Sequence, residues 1–242
     1  MLIRVINPNT TRSMTDKIGA AARAAAAVGT KIVSTSPEMG PASIEGHYDE
    51  AIALPSMLAE IDRGEVDGTD GYVIACFGDP GLLAAREIAA GPVIGIAEAA
   101  MHMASMVATG FSVVTTLERT CVIAEQLVIN YGMQRACRRI RAADVPVLEL
   151  ENPASPARTL ILAECRRALA EDRSGAIVLG CAGMADLCSD LARELGVPVI
   201  DGVAAAVKLV EALVGLGLKT SKVGDLAYPL PKAGGWNGGS GR

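Results

Sequence analysis

Two cysteines occupy matching places in the chain, Cys76 within residues 71–78 and Cys181 within residues 175–184. Each ends a short apolar run and is followed by a turn that contains glycine. Short apolar runs bounded by glycine are typical of buried parallel strands, and open α/β sheets bind ligands at the carboxyl ends of such strands. A thiolate accepts a proton and a thiol donates one. The two side chains therefore predict an acid/base pair on opposite sides of one substrate.

The surroundings of the two cysteines repeat as well. Residues 91–100 follow the first unit and the similar residues 196–206 follow the second, which indicates an internal duplication. Two opposed bases suit the inversion of an acidic carbon beside a carbonyl, because one thiolate removes the proton and the other thiol replaces it on the opposite face. A lone cysteine at the end of a buried strand is more often a small core residue, but the duplication favours the chemical interpretation.

The residues after each cysteine are predicted to assist this chemistry. A free thiol has a pKa of about 8.5, so the surroundings must favour one thiolate. Phe77, Gly78, Ala182 and Gly183 lie where a strand turns towards a helix, and their backbone N–H groups are expected to face the cleft. The same groups would hold the oxygen of an enolate intermediate.

Four further residues are predicted to bind substrate. Asn7 ends the first strand and would bond a ring amide or carbonyl, although it also suits the turn before Pro8. Thr115 and Thr116 end another strand and would donate to a ring carbonyl or cap the following helix. Glu45, in the long loop of residues 36–46, would accept a ring N–H or remain a solvated carboxylate.

Two sets of residues are assigned structural roles. Asp79 precedes Pro80, and this pair predicts a helix start capped by the carboxylate. Four cysteines lie in predicted helices or an uncertain strand and are interpreted as packing residues: Cys121, Cys137, Cys165 and Cys188.

Composition excludes several classes of function. The net charge of −5 argues against nucleic-acid binding, and the basic residues 138–141 are interpreted as a solvated face. No export signal and no long apolar segment is apparent, so we expect a cytoplasmic protein with reduced thiols and no contact with a membrane. With two histidines and no CxxC, GxGxxG or P-loop motif, we expect neither a metal nor a cofactor.

The elements that position these residues alternate between strand and helix along the chain, which predicts an α/β fold with mostly parallel sheets. We expect two pseudo-symmetric lobes flanked by helices, with the active site between them. The first lobe would comprise residues 1–97 and 207–242, and the second residues 98–206. In the second lobe, residues 145–150 predict a strand, preceded by a less certain one at residues 138–141.

Five motifs in the same order resemble those of hydantoin racemases, a branch of the aspartate/glutamate racemase superfamily. They are VINPNT at 5–10, MGPASIEGHYDEA at 39–51, ACFGDPG at 75–81, GIAEAA at 95–100 and LGCAGM at 179–184. The resemblance implies a cofactor-independent racemase that acts on 5-monosubstituted hydantoins through two cysteines matching Cys76 and Cys181. It also implies a homo-oligomer, a tetramer or hexamer.

Two alternatives remain open from the sequence. Allantoin is itself a 5-substituted hydantoin, so an allantoin racemase fits the same motifs. A two-lobed metabolite-binding module, in which the cysteines only pack, is the non-enzymatic alternative. Within the superfamily, Cys76 argues against the decarboxylases, which keep only the second cysteine. Phe77–Gly78 and Ala182–Gly183 replace the polar residues of the amino-acid racemases, which favours a neutral ring as substrate.

Overall fold

A computed structural model describes residues 1–231, in which eight strands form two four-stranded sheets with only parallel pairings. The strands are β1 (Leu2–Ile6), β2 (Lys31–Thr35), β3 (Gly71–Ile74), β4 (Val93–Gly95), β5 (Phe111–Thr115), β6 (Cys137–Ala142), β7 (Ala176–Leu179) and β8 (Val199–Ile200). The first sheet has the order β2-β1-β3-β4 and the second the equivalent order β6-β5-β7-β8. The predicted α/β fold with two pseudo-symmetric parallel sheets is therefore confirmed.

Helices connect the strands and cover the sheets. They are α1 (Arg12–Ala25), α2 (His47–Val66), α3 (Leu82–Ile88), α4 (Ile96–Val107), α5 (Cys121–Asn130), α6 (Ala157–Asp172), α7 (Cys188–Leu195) and α8 (Gly202–Gly215). Among residues 1–231, no helix combines the length and the apolar character needed to cross a membrane.

Helices α4 and α8 pack against each other between the two sheets, α4 also on β7 and α8 also on β3 and β4. Small buried residues of the two helices, such as Ala97, Ala100 and Ala206, belong to one hydrophobic cluster. A Cβ atom at Gly202 would lie 2.6 Å from the backbone oxygen of Ile96, so glycine is required where the two helices approach. Small side chains therefore bring the two halves into one core.

The division into residues 1–97 with 207–242 and residues 98–206 stays a prediction. Helices α4 and α8 lie near its two boundaries, and each contacts both halves as well as the other helix. Residues 232–242 of the first predicted lobe lie outside the described residues.

The prediction of a strand at residues 145–150 is wrong. The edge strand is β6, and Val147–Glu151 forms a 3-10 helix instead. Asp144 has φ of 54°, which is outside the extended region, and Pro146 two positions later has no N–H to donate to a sheet. The extended chain therefore ends there.

The interpretation of residues 138–141 as a solvated face holds only in part. Arg138 and Arg139 are exposed, but Arg141 is 5% exposed and forms ion pairs with Glu164 and Asp172 on α6. A buried guanidinium requires such partners, and a charge pattern in the sequence does not reveal them.

Candidate active site

A cavity of about 60 Å³ lies at the carboxyl ends of β3, β5 and β7, lined by residues from both halves of the chain. The equivalent strand order places Cys76 after β3 and Cys181 after β7, and both cysteines line this cavity. Seven of the predicted site residues lie here together: Cys76, Phe77, Gly78, Thr115, Thr116, Cys181 and Ala182.

Three predicted residues do not line the cavity. The side-chain amide of Asn7 donates to Asn9 Oδ1 at 2.9 Å and to Thr15 Oγ1 at 3.0 Å, and Asn9 is the residue that lines the cavity. Glu45 Oε1 accepts the backbone N–H of Val147 at 2.8 Å. Gly183 is the third, and its backbone N–H is directed to the sulfur of Cys181.

Each thiol is held by the backbone of its own turn. The N–H of Gly78 donates to the sulfur of Cys76, and the N–H of Gly183 donates to the sulfur of Cys181. Both bonds lower the pKa of the thiol that they contact, because they stabilise the thiolate. The duplicated strand, cysteine and glycine turn therefore gives the two sulfurs equivalent local contacts.

Charges further away distinguish the two thiols. Burial is the largest effect in both cases and raises the pKa of Cys181 to about 11 and that of Cys76 further. The charge of Lys17 lowers the pKa of Cys181 while Glu45 and Glu151 raise it. The charges that act on Cys76, among them Glu50 and Asp79, all raise its pKa. Cys181 is therefore the thiol that ionises more readily.

The turn after β7 packs directly against the end of β5. The hydroxyl of Thr115 donates to the backbone oxygen of Gly180 at 3.1 Å. A Cβ atom at position 180 would lie 2.8 Å from Cα of Thr115, so only glycine fits beside this strand. This contact fixes Cys181 relative to the two threonines at the cavity.

The role predicted for Asp79 is wrong, because helix α3 begins at Leu82 and not at Pro80. Asp79 has φ of 44°, and its carboxylate accepts the N–H groups of Ala97 and Glu98 at 3.0 and 2.9 Å, so it caps helix α4 instead. The hydroxyl of Tyr131 also donates to it at 2.7 Å. Burial raises the pKa of Asp79 to about 7 despite these bonds. The residue joins the turn after Cys76 to two helices.

Two further contacts cross the cleft between the halves. Lys17 on α1 donates to the backbone oxygen of Leu150 at 2.9 Å and lies 3.0 Å from Glu151 Oε1. The bond from Val147 to Glu45 joins the long loop to the same 3-10 helix. Because Val147 lines the cavity, these contacts hold one of its walls.

Sequence reasoning missed Glu50, whose side chain lines the cavity from the first turn of α2. An acidic residue in a first helical turn is common because it complements the helix dipole, so its type gave no signal of a site. Burial raises the pKa of this carboxyl. The cavity is otherwise closed mainly by apolar residues, among them Ile44, Ile123 and Val147.

The other cysteines are separate from this site. Cys121 and Cys165 are buried, Cys137 and Cys188 are half-buried, and none of the four lines the cavity. Within residues 1–231, no group of three or more His, Cys, Asp or Glu side chains is arranged to hold a metal ion.

The chain matches the family model for Asp/Glu/hydantoin racemases over residues 3–210. The hydantoin racemase of Rhizobium meliloti is 54% identical over 233 residues, which are 96% of this chain and 97% of that protein. The solved allantoin racemase from Klebsiella pneumoniae is 61% identical, with a TM-score of 0.96 over 98% of this chain and 97% of that one. The allantoin racemase from Pseudomonas fluorescens is 38% identical, with a TM-score of 0.90 over 96% of this chain and 99% of that one.

Proposed function

The chain belongs to the Asp/Glu/hydantoin racemase family and is therefore an isomerase, and we propose that it inverts 5-monosubstituted hydantoins at C5 without a cofactor. The observation that carries this proposal is that Cys76 and Cys181, from equivalent turns of the two sheets, line one cavity. Membership in a racemase family favours this function over the metabolite-binding module that the sequence left open.

In the proposed reaction the two thiols exchange protons with opposite faces of C5. The C5–H bond is acidic because the adjacent C4 carbonyl accepts the electron pair as an enolate. The thiolate of Cys181 takes this proton, and the thiol of Cys76 then returns its own proton to the other face as the enolate collapses. The product leaves Cys181 as thiol and Cys76 as thiolate, and the opposite enantiomer uses that form in reverse.

The rest of the cavity stabilises the enolate. The N–H groups of Gly78 and Gly183 contact the sulfurs, which leaves the N–H groups of Phe77 and Ala182 for the enolate oxygen. Thr116 lines the same cavity and would donate its hydroxyl to a ring carbonyl. The hydroxyl of Thr115 already donates to Gly180, so this residue supports the turn of Cys181 and does not donate to the substrate. Hydrogen bonds to a developing oxyanion are strong in a site that excludes water.

A neutral ring suits these walls. The residues beside the two cysteines are phenylalanine, alanine and glycine, which offer no charged partner for an ammonium or a carboxylate. The second candidate is allantoin, and the 61% identity to the Klebsiella enzyme over nearly the whole chain favours it specifically. The ratio of kcat/KM for allantoin to that for 5-benzylhydantoin, measured by polarimetry with a chelator present, decides between the two substrates.

The two-cysteine mechanism is tested by Cys76→Ser and Cys181→Ser. A general acid or base contributes about 10²–10⁴-fold, so each variant should lose at least about 100-fold in racemisation of a 5-monosubstituted hydantoin. Cys188→Ser, a half-buried cysteine outside the cavity, is the matched control and should keep the parent rate.

Deuterium exchange in D₂O then separates the two faces. Each single variant should exchange the C5 proton of one enantiomer without inverting it, because one thiol remains. Racemisation near the parent rate in either variant would overturn the mechanism. The family resemblance further leads us to propose a homo-oligomer, a tetramer or hexamer, which light scattering of the purified protein checks. A cytoplasmic location is proposed separately from the resemblance.

A further inference from the structure

Glu50 contributes a buried carboxylate oxygen to the cavity beside Cys76. Its side chain is 19% exposed, and Oε2 lies 3.7 Å from Nδ1 of His47, whose own side chain is exposed. The other oxygen, Oε1, is buried and has no hydrogen-bond partner among the described residues. Buried polar atoms are nearly always bonded in folded proteins, so an unpartnered acceptor at a cavity wall indicates a donor on the ligand.

The position of Oε1 relative to the reacting sulfur follows from Gly78. A Cβ atom at that residue would overlap Oε1 and lie 3.3 Å from the carboxylate carbon. The oxygen is therefore packed against the turn whose N–H holds the sulfur of Cys76. A substrate carbon in reach of that sulfur brings the atoms bonded to it close to Glu50.

We propose that Glu50 Oε1 accepts the N1–H of the hydantoin ring, which makes it a substrate-binding residue that selects cyclic ureides with a free N–H beside the stereocentre. The inference rests on the proposed function, because it takes C5 as the carbon that Cys76 meets. N1 and C4 are the two ring atoms bonded to C5. The C4 oxygen is an acceptor and is repelled by a carboxylate, whereas N1–H is a donor and is attracted.

The same contact predicts discrimination against amino acids. A free α-carboxylate beside the reacting carbon would face Glu50 as a like charge, which is unfavourable in a buried site. The imide ring replaces this carboxylate by a neutral carbonyl. Glu50 therefore adds a repulsive element to the absence of charged partners beside the cysteines.

The test combines variants of Glu50 with methylated substrates. Glu50→Met keeps the length of the side chain without an acceptor, and Glu50→Gln keeps an uncharged acceptor. Each is assayed with 5-benzylhydantoin and its N1-methyl and N3-methyl derivatives. Glu38→Met, which replaces an exposed carboxylate of the preceding loop, is the control and should match the parent.

A hydrogen bond to a charged group corresponds to about tenfold or more in kcat/KM. We expect Glu50→Met to lose about tenfold or more on 5-benzylhydantoin, and the penalty for N1-methylation to shrink by the same factor relative to the parent enzyme. The penalty for N3-methylation should be equal in both enzymes. Glu50→Gln should lose several-fold and keep a preference for the N1–H substrate. If the role of Glu50 were purely structural, kcat/KM would fall equally for all three substrates and the penalty for N1-methylation would not change.

Three results would overturn the assignment: an N1 penalty as large in Glu50→Met as in the parent, a penalty that changes for N3-methylation instead, or unchanged activity in both Glu50 variants. If Glu50→Met does not fold, Glu50→Gln decides alone. The assignment is then overturned if Glu50→Gln matches the parent both in its N1-methylation penalty and in its activity on 5-benzylhydantoin. Failure of the parent enzyme to racemise any hydantoin would instead refute the proposed function, and this inference with it.

Discussion

The space beside Gly78 is filled by the carboxylate of Glu50. An alanine at position 78 would displace this carboxylate and so tests whether its position matters for activity. The added Cβ would overlap Oε1 and lie 3.3 Å from the carboxylate carbon. At the equivalent Gly183, the nearest atoms to an added Cβ are Leu150 Cδ1 at 3.0 Å and the sulfur of Cys181 at 3.6 Å. Neither glycine has a positive φ, so alanine changes only the occupied space at both positions.

The two substitutions therefore differ in the movement that they require. In Gly78→Ala the carboxylate must retreat by about 1 Å, because protein interiors leave no free volume for an overlapping atom. A misplacement of about 1 Å in a site costs up to about 10²-fold in rate, so we expect kcat/KM to fall about 10–100-fold. Overpacking should also lower the free energy of unfolding by about 1–3 kcal/mol. Gly183→Ala needs only a small shift of a leucine methyl group and should stay within about threefold of the parent.

The assay is kcat/KM for a 5-monosubstituted hydantoin by polarimetry, with urea unfolding as the measure of stability. Each glycine variant is repeated in the background of Glu50→Ala, which removes the overlapping carboxylate. In that background, Gly78→Ala should lower kcat/KM little beyond the loss from Glu50→Ala itself, because the effects of substitutions at contacting residues are not additive. Gly78→Ala activity within threefold of the parent, or an equal loss in both backgrounds, would refute this account of the site.

Two further predictions concern charge. Lys17→Met should raise the pKa of Cys181, because the lysine charge lowers it. Alkylation of Cys181 at pH 8, followed by mass spectrometry, should therefore slow several-fold. Lys208→Met on α8 is the control and should leave the alkylation rate unchanged. The raised pKa of Asp79, about 7 against 3.8 for an unperturbed carboxyl, means that its stabilising contribution is complete below pH 3.8 and is lost as the pH rises through 7. This loss is on the order of 4 kcal/mol. Urea unfolding should therefore show a smaller decline in the free energy of unfolding between pH 5 and 8 for Asp79→Asn than for the parent. An equal decline would contradict the raised pKa of Asp79.

The parts of the site that the sequence predicted are those that local rules determine. An apolar run followed by cysteine and glycine places a thiol after a strand, and parallel strands end at the same edge of their sheet. Cys76 and Cys181 could therefore be assigned to one cavity without coordinates, together with Thr115 and Thr116 at the end of β5. Duplication supplied the remaining step, because equivalent strands in equivalent sheets carry equivalent side chains.

The parts that were missed depend on contacts between distant segments. Glu50 reaches the cavity only because the first turn of α2 packs beside Gly78, and its sequence context is that of an ordinary helix start. Glu45, for which substrate binding stays a prediction, accepts the N–H of Val147, more than one hundred residues away. The pairing of Arg141 with acids on α6 is equally remote in sequence. Residue type predicts none of these partners.

The asymmetry between the two thiols arises from such distant contacts and has a mechanistic consequence. Their local hydrogen bonds are equivalent, but a lysine, Lys17, offsets the acidic residues near Cys181, whereas Glu50 and Asp79 act on Cys76 without such an offset. Burial keeps the pKa values of both thiols high, but of the two singly ionised forms in the proposed mechanism the one with Cys181 as thiolate is the more favourable, and it is ready for one enantiomer. The equilibrium constant between two enantiomers is one, so kcat/KM must be equal in both directions whatever the charges. The asymmetry can appear only as a matched difference in kcat and KM, with the lower KM for the enantiomer whose C5 proton faces Cys181.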